Sequence, residues 1–168
     1  LEQKRSKAKV AYRILDDWKT IPGLDEAGNI DKDFLLNWIK SSRTVLSEKG
    51  RADIGDQHIG QILAHSPADY TDEAWPHQNV RYVIEELASE NVEIGIRVQL
   101  FNNRGMHSRA MFEGGEQERE LAEKYRGWAS KCLKWPRTQK LLTSIAIEWD
   151  ADALRQDEKA EQDKIKYS

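Results

Sequence analysis

The sequence predicts an all-α fold, either an irregular multi-helix bundle or a short α-solenoid-like stack of about five to six helices, on three observations. Apolar residues recur at steps of three and four along most of the chain, glycine or proline punctuates the gaps, and no two segments offer strands that would pair. The balance of 39% hydrophobic and 33% charged residues suits helices that bury one face and wet the other. Six tryptophans in 168 residues supply large apolar areas of the kind disordered chains lack. At this length one core suffices, and a single helical domain over 1–168 is expected, with 155–168 as a charged tail, helical or frayed.

The elements follow in order. Over 7–18, Val10, Ile14 and Trp18 fall at steps of four with Ala11 and Leu15 alongside, one helix face that Pro22-Gly23 must follow. Asp31 or Asp33 is placed to cap a second helix carrying Phe34, Leu35, Trp38, Ile39, Val45 and Leu46, with Gly50 as its stop. Ile59, Ile62 and Leu63 share one side of a short helix that Asp56 is placed to cap and Ser66-Pro67 to break. Trp75-Pro76 is expected to open the longest helix, because proline suits the first helical position. Its stripe of Val80, Ile84, Leu87, Ile94, Val98 and Phe101 ends at Asn102-Asn103-Arg104-Gly105. Within it, 92–100 also alternates as a strand would; helix is preferred because a lone strand leaves its backbone groups unpaired. Gly114-Gly115 precedes a helix with Glu116 and Glu118 at its positive end and Leu121, Ala122, Tyr125, Trp128, Ala129 and Cys132 as its stripe. Trp135-Pro136 opens the last helix, with Leu141, Leu142, Ile145, Ala146, Trp149 and Ala153 inward. The two Trp-Pro starts are an internal echo, compatible with stacked helix pairs or with a bundle that reuses one helix start.

Composition narrows the function classes. A lone cysteine, Cys132, excludes an intramolecular disulfide, and no Cys/His spacing resembles a zinc framework, so a reducing, cytoplasmic location and no metal are expected. No apolar run reaches membrane-spanning length and no signal peptide opens the chain. A start at Leu1 followed by Glu2-Gln3-Lys4-Arg5 is read as a piece of a larger protein. The net charge of −3 disfavours a general polyanion binder. Charge is nonetheless uneven: Lys4, Arg5, Lys7, Lys9 and Arg13 make the start basic, and Glu148, Asp150, Asp152, Asp157, Glu158, Glu161 and Asp163 make the end acidic.

The densest candidate for ligand binding is 102–119. Asn103, Arg104, His107, Arg109, Glu116 and Arg119 surround glycines and a helix start, whose outward N–H groups and nearby guanidinium groups suit a phosphate or carboxylate. The same residues also serve an ordinary helix end and restart. Arg51 and His58, enclosing six residues, are the catalytic candidates. Their spacing resembles the arginine–histidine motif of the helical ribonucleases called HEPN domains, in which the two residues act together on RNA phosphodiesters, although glycines around it here speak against a regular helix. His58 and His65 lack a third metal ligand. Cys132 reads as a core residue. There is no P-loop, dinucleotide fingerprint or serine-nucleophile elbow, and no cofactor is expected.

Ile54-Gly-Asp-Gln-x-Ile-Gly-x-Ile-Leu-Ala, Trp75-Pro, Asn103-Arg-Gly and Gly114-Gly-Glu-Gln-Glu-Arg-x-Leu-Ala-x-Lys-Tyr together resemble the helical region of large uncharacterised bacterial proteins. The resemblance covers roughly 12–163 and implies a bacterial cytoplasm and a multidomain parent; it carries no activity onto any residue. The sequence therefore leads to a protein-interaction or scaffold module that meets other domains of its parent or a protein partner. The alternatives are an RNA- or phosphate-ester-acting enzyme using Arg51/His58 or the 102–119 loop, and a nucleic-acid-binding module using the basic start.

Overall fold

The computed structural model describes residues 18–105 and 113–167. Six helices occupy them: α1 (Lys32–Glu48), α2 (Ala52–Leu63), α3 (Gln78–Leu87), α4 (Glu90–Asn103), α5 (Glu116–Lys131) and α6 (Pro136–Tyr167). Among the described residues there is no strand, only an isolated bridge between Leu24 and Ile30, so the fold is all-α. The expected helix over 7–18, apart from Trp18, and the basic residues Lys4 to Arg13 lie outside the described residues. None of the helices described is long and apolar enough to cross a membrane.

Contacts divide the chain into two compact units. The first takes Leu1–Pro67 and Ser89–Leu100. Its turn before α1 is organised by Asp25, whose carboxylate accepts the Ala27 and Asn29 N–H groups at 2.9 and 2.8 Å. Asp31 then caps α1, accepting the Phe34 N–H at 2.9 Å, which satisfies one of the donors a helix start leaves orphaned. Gly50, at φ 64°, follows the end of α1, a left-handed position that favours glycine. Leu35, Ile39, Ile59, Leu63, Val92 and Ile96 are fully or almost fully buried here.

Helix α2 starts five residues earlier than it would if Asp56 capped it, with Arg51 at the N-cap. The reason is that Asp56 has other partners: its carboxylate takes the Arg43 guanidinium through two bonds of 2.9 Å and the Ser89 hydroxyl at 2.6 Å. Gly55 and Gly60 also sit inside a regular helix, contrary to their reading as breakers. They are there because helices cross close to them. A Cβ on Gly60 would lie 2.0 Å from the Val92 carbonyl oxygen, and one on Gly95 would lie 2.0 Å from the Gln57 carbonyl oxygen, so α2 and α4 meet backbone to backbone.

The second unit takes Ala68–Ala88 and Phe101–Ser168. The long helix expected from Trp75 is two helices. Ala88 adopts a left-handed conformation (φ 46°, ψ 38°) and ends α3, and α4 restarts at once after Ser89, whose hydroxyl accepts the Val92 N–H at 3.4 Å. Residues 92–101 are helical, as preferred. Pro76 does not occupy the first helical position: the Trp75-Pro76 peptide is cis, and His77 caps α3 by accepting the Asn79 N–H at 3.1 Å. At Trp135-Pro136 the proline does open α6. The sequence echo thus covers two different structures rather than a repeat. Helix α6 continues to Tyr167, so the charged tail is helical to that residue, and α5 packs along it while α3 packs against its first turns. Leu141, Leu142, Ile145, Ala146, Trp149 and Ala153 line its buried side.

Candidate functional site

The 102–119 region is built from the end of α4 and the start of α5. Gly105, at φ 63°, follows α4, and Gly114-Gly115 leads into α5. The arginines are already engaged. Arg104 forms an ion pair with Glu118, whose side chain is fully buried, and its guanidinium lies over the Trp149 ring at 4.8 Å from the centroid. Phe101 stacks on that same ring at 4.3 Å. A buried carboxylate requires such a partner, and an aromatic face adds a favourable surface for the planar cation.

Arg119 reaches Asp157 on α6 at 2.7 Å, and the Gly115 N–H donates to the same carboxylate at 2.8 Å. The Arg119 guanidinium, with help from the Gly115 amide, holds the Asp157 carboxyl below the usual carboxylate range, and Asp157 in turn pushes Arg119 up. A Cβ on Gly115 would come within 2.2 Å of the Ala153 carbonyl oxygen, so this turn sits directly on α6. The helix start that sequence offered to an anion is therefore answered by a carboxylate of the protein itself. Asn103 and Glu116 are exposed, while His107 and Arg109 lie outside the described residues. The region brings Arg104 and Arg119 onto different carboxylates rather than into one anion clamp.

Arg51 and His58 belong to one regular helix, with Arg51 exposed at its N-cap and His58 half-buried, its Nδ1 2.9 Å from Gln61 Oε1. Arg51 lines a shallow depression with Gly50, Ala52, Asp53 and Ile54, which His58 does not line. A second open groove in the same unit is lined by Lys40, Thr44, Ser47 and Glu48 together with the Arg43–Asp56 pair. Half-buried His65 is held below the usual histidine range by burial and then by Lys19. Among the described residues no three His, Cys, Asp or Glu side chains gather as a metal site.

The polar cluster that sequence reasoning missed is in the loop 69–77. Arg81 is buried and spends its guanidinium inside the fold. Nε donates to the Pro76 carbonyl at 2.6 Å, Nη1 to Asp72 at 2.5 Å, and Nη2 to Asp72 at 2.9 Å and the Ala74 carbonyl at 2.6 Å. Asp69, also buried, accepts the Thr71 N–H, the Thr71 hydroxyl and the Gln78 N–H, with His77 Nε2 3.7 Å away. The Arg81 guanidinium holds Asp72 below its ordinary range. At Asp69 burial pushes upward, but the Thr71 and Gln78 hydrogen bonds outweigh it and the net direction is down. Nearby, burial pushes the Cys132 thiol up, which keeps it protonated and unreactive. The only sequence signal was the density of Asp and Pro between two apolar runs. With its donors and acceptors bonded to one another, the cluster fastens a loop and offers none of its guanidinium face to a ligand.

Glu85 supplies a further structural anchor. Its carboxylate accepts the Arg137 N–H at 3.1 Å, the Thr138 N–H at 2.9 Å and the Thr138 hydroxyl at 3.1 Å, so a side chain of α3 caps the positive end of α6. Outward from the core, α6 instead carries Ile147, Leu154 and Ile165, which are 62%, 64% and 75% exposed. No family model matches this chain, and neither a curated protein nor a solved structure is found to match it.

Proposed function

We propose that this chain is a helical protein-interaction module rather than an enzyme. One contrast carries the reading. The cations a ligand site would use, Arg104 and Arg119, are paired with the chain's own Glu118 and Asp157, the first pair buried and the second at the surface, whereas large aliphatic side chains stand in solvent along one face of α6. Exposed aliphatic residues aligned on a helix are the means by which helices recognise helices. The sequence resemblance supports a place within a larger bacterial protein, and the lone buried Cys132 is compatible with a reducing cytoplasm.

The test is in-cell photo-crosslinking with benzoylphenylalanine at Ile147, compared with the same probe at exposed Gly127 on α5. A discrete protein adduct at Ile147 and none at Gly127 is expected. Equal or absent adducts at both positions would overturn the proposal. So would RNA cleavage by the purified chain that disappears in both Arg51→Ala and His58→Ala, which is the outcome the enzymatic alternative requires.

A further inference from the structure

On a helix the residues Ile147, Ala151, Leu154, Glu158, Glu161 and Ile165 fall on one line, because their separations alternate between four and three. That line lies opposite the buried side formed by Leu142, Ile145 and Trp149. Lys140 continues it toward the start of the helix, seven residues before Ile147. The line thus has the spacing of a coiled-coil seam, with an apolar middle, a cation at one end and two carboxylates towards the other. Lys140, Glu158 and Glu161 are all exposed, as is Lys164, whose ammonium lies 3.5 Å from the Glu161 carboxylate.

We infer that α6 pairs antiparallel with α6 of a second copy of this chain, with the two-fold axis near Ala151. This rests on the interaction-module reading and names the partner. The charge order decides the direction. A parallel pair would set Lys140 against Lys140 and the two glutamates against their own counterparts, which is unfavourable at every charged position. An antiparallel pair centred near Ala151 sets Lys140 of each copy beside the Glu158/Glu161 end of the other. It also brings Ile147 and Leu154 of the two copies together across the axis. The small side chain of Ala151 lets the helices approach where they cross. From Lys140 to Ile165 the seam extends over about 37 Å at ~1.5 Å per residue, enough for several turns of contact.

Sedimentation equilibrium on the full 168-residue chain at low salt tests the pairing. A two-chain mass is expected in the micromolar range, with Leu154→Lys weakening association about tenfold or more. Lys140→Glu should weaken it as well, and the triple exchange Lys140→Glu/Glu158→Lys/Glu161→Lys should restore it, which no merely structural role of these exposed residues would do. Oxidative cross-linking reads the direction. Ala151→Cys should link to its own counterpart and Ile165→Cys should not, with native Cys132 buried and out of reach. A chain that stays monomeric, or one that links through Ile165→Cys and not through Ala151→Cys, overturns the inference. A monomeric chain whose position 147 still cross-links to a different protein overturns the self-pairing alone and leaves the module reading standing.

Discussion

The crossing of α2 and α4 sets the most demanding requirement on the sequence. Adding one methyl at Gly60 puts carbon 2.0 Å from the Val92 carbonyl oxygen and 2.9 Å from the Ile96 nitrogen. An ordinary carbon–oxygen contact is ~3.3 Å, so the two backbones must separate by about 1.3 Å. Neither neighbour is the end of a flexible side chain, so the strain cannot be relieved by a rotamer change. A radial gap of even 0.5–1 Å forfeits roughly a quarter to a half of each dispersion contact, and Val92 and Ile96 are buried beside the crossing. Overpacking of this kind costs ~3 kcal/mol, against which alanine's better helix propensity returns about 1 kcal/mol. Gly60→Ala should therefore lose about 2 kcal/mol net in urea unfolding followed by circular dichroism at 222 nm, with an unchanged denaturant slope. Gly127 on α5 has nothing within 4 Å of where its Cβ would be, so Gly127→Ala isolates the propensity effect and should gain ~0.5–1 kcal/mol. If Gly60→Ala were as stable as Gly127→Ala, the close crossing would be refuted.

Glu85→Ala removes the side-chain cap from α6 and should cost ~1–2 kcal/mol, a fall of about 3–6 °C in Tm, with Glu85→Gln losing less because its amide oxygen still accepts. Arg104→Met removes the guanidinium that pairs with the buried Glu118 carboxylate and should cost about 3 kcal/mol, while Arg104→Met/Glu118→Met recovers most of the loss; a cost below ~0.5 kcal/mol for Arg104→Met would mean that the pair does not hold the fold. Burial pushes the Tyr125 phenol up to about 12. The unfolded chain ionises near its ordinary value of ~10, so the contribution is complete below that pH and falls away as pH rises toward 12, by about 2–3 kcal/mol in all. Tyr125→Phe should abolish that alkaline step in urea titrations repeated across the range.

Much of the fold was legible in the sequence because helix positions depend on local signals. Asp31 capped α1, Gly50 ended it, and Pro136 opened α6, each through a backbone requirement that a single residue meets. What was not legible depended on partners distant in sequence. Asp56 has the chemistry of a cap, yet it binds Arg43 and Ser89, thirteen and thirty-three residues away. Gly55, Gly60 and Gly95 have the propensity of breakers, yet they are helical because another helix occupies the space a side chain would need. Propensity and sterics oppose each other at such a position, and only the fold tells which one wins.

The same distinction explains the candidate site. Sequence located arginines beside glycines and a helix start, which is the local chemistry of anion binding. It did not show that Glu118 would be buried beside Arg104, fourteen residues away, or that Asp157 on another helix would take both Arg119 and the Gly115 amide. An anion site needs donors whose acceptors come from outside, and here the acceptors belong to the chain. Large apolar side chains, by contrast, stand exposed to solvent. Ile147 and Leu154 expose hydrocarbon on the outer face of α6 while its charges run from Lys140 to Glu161. Burial of that hydrocarbon against a helix with the opposite charge order satisfies both at once, and a second copy of α6, reversed, has that order.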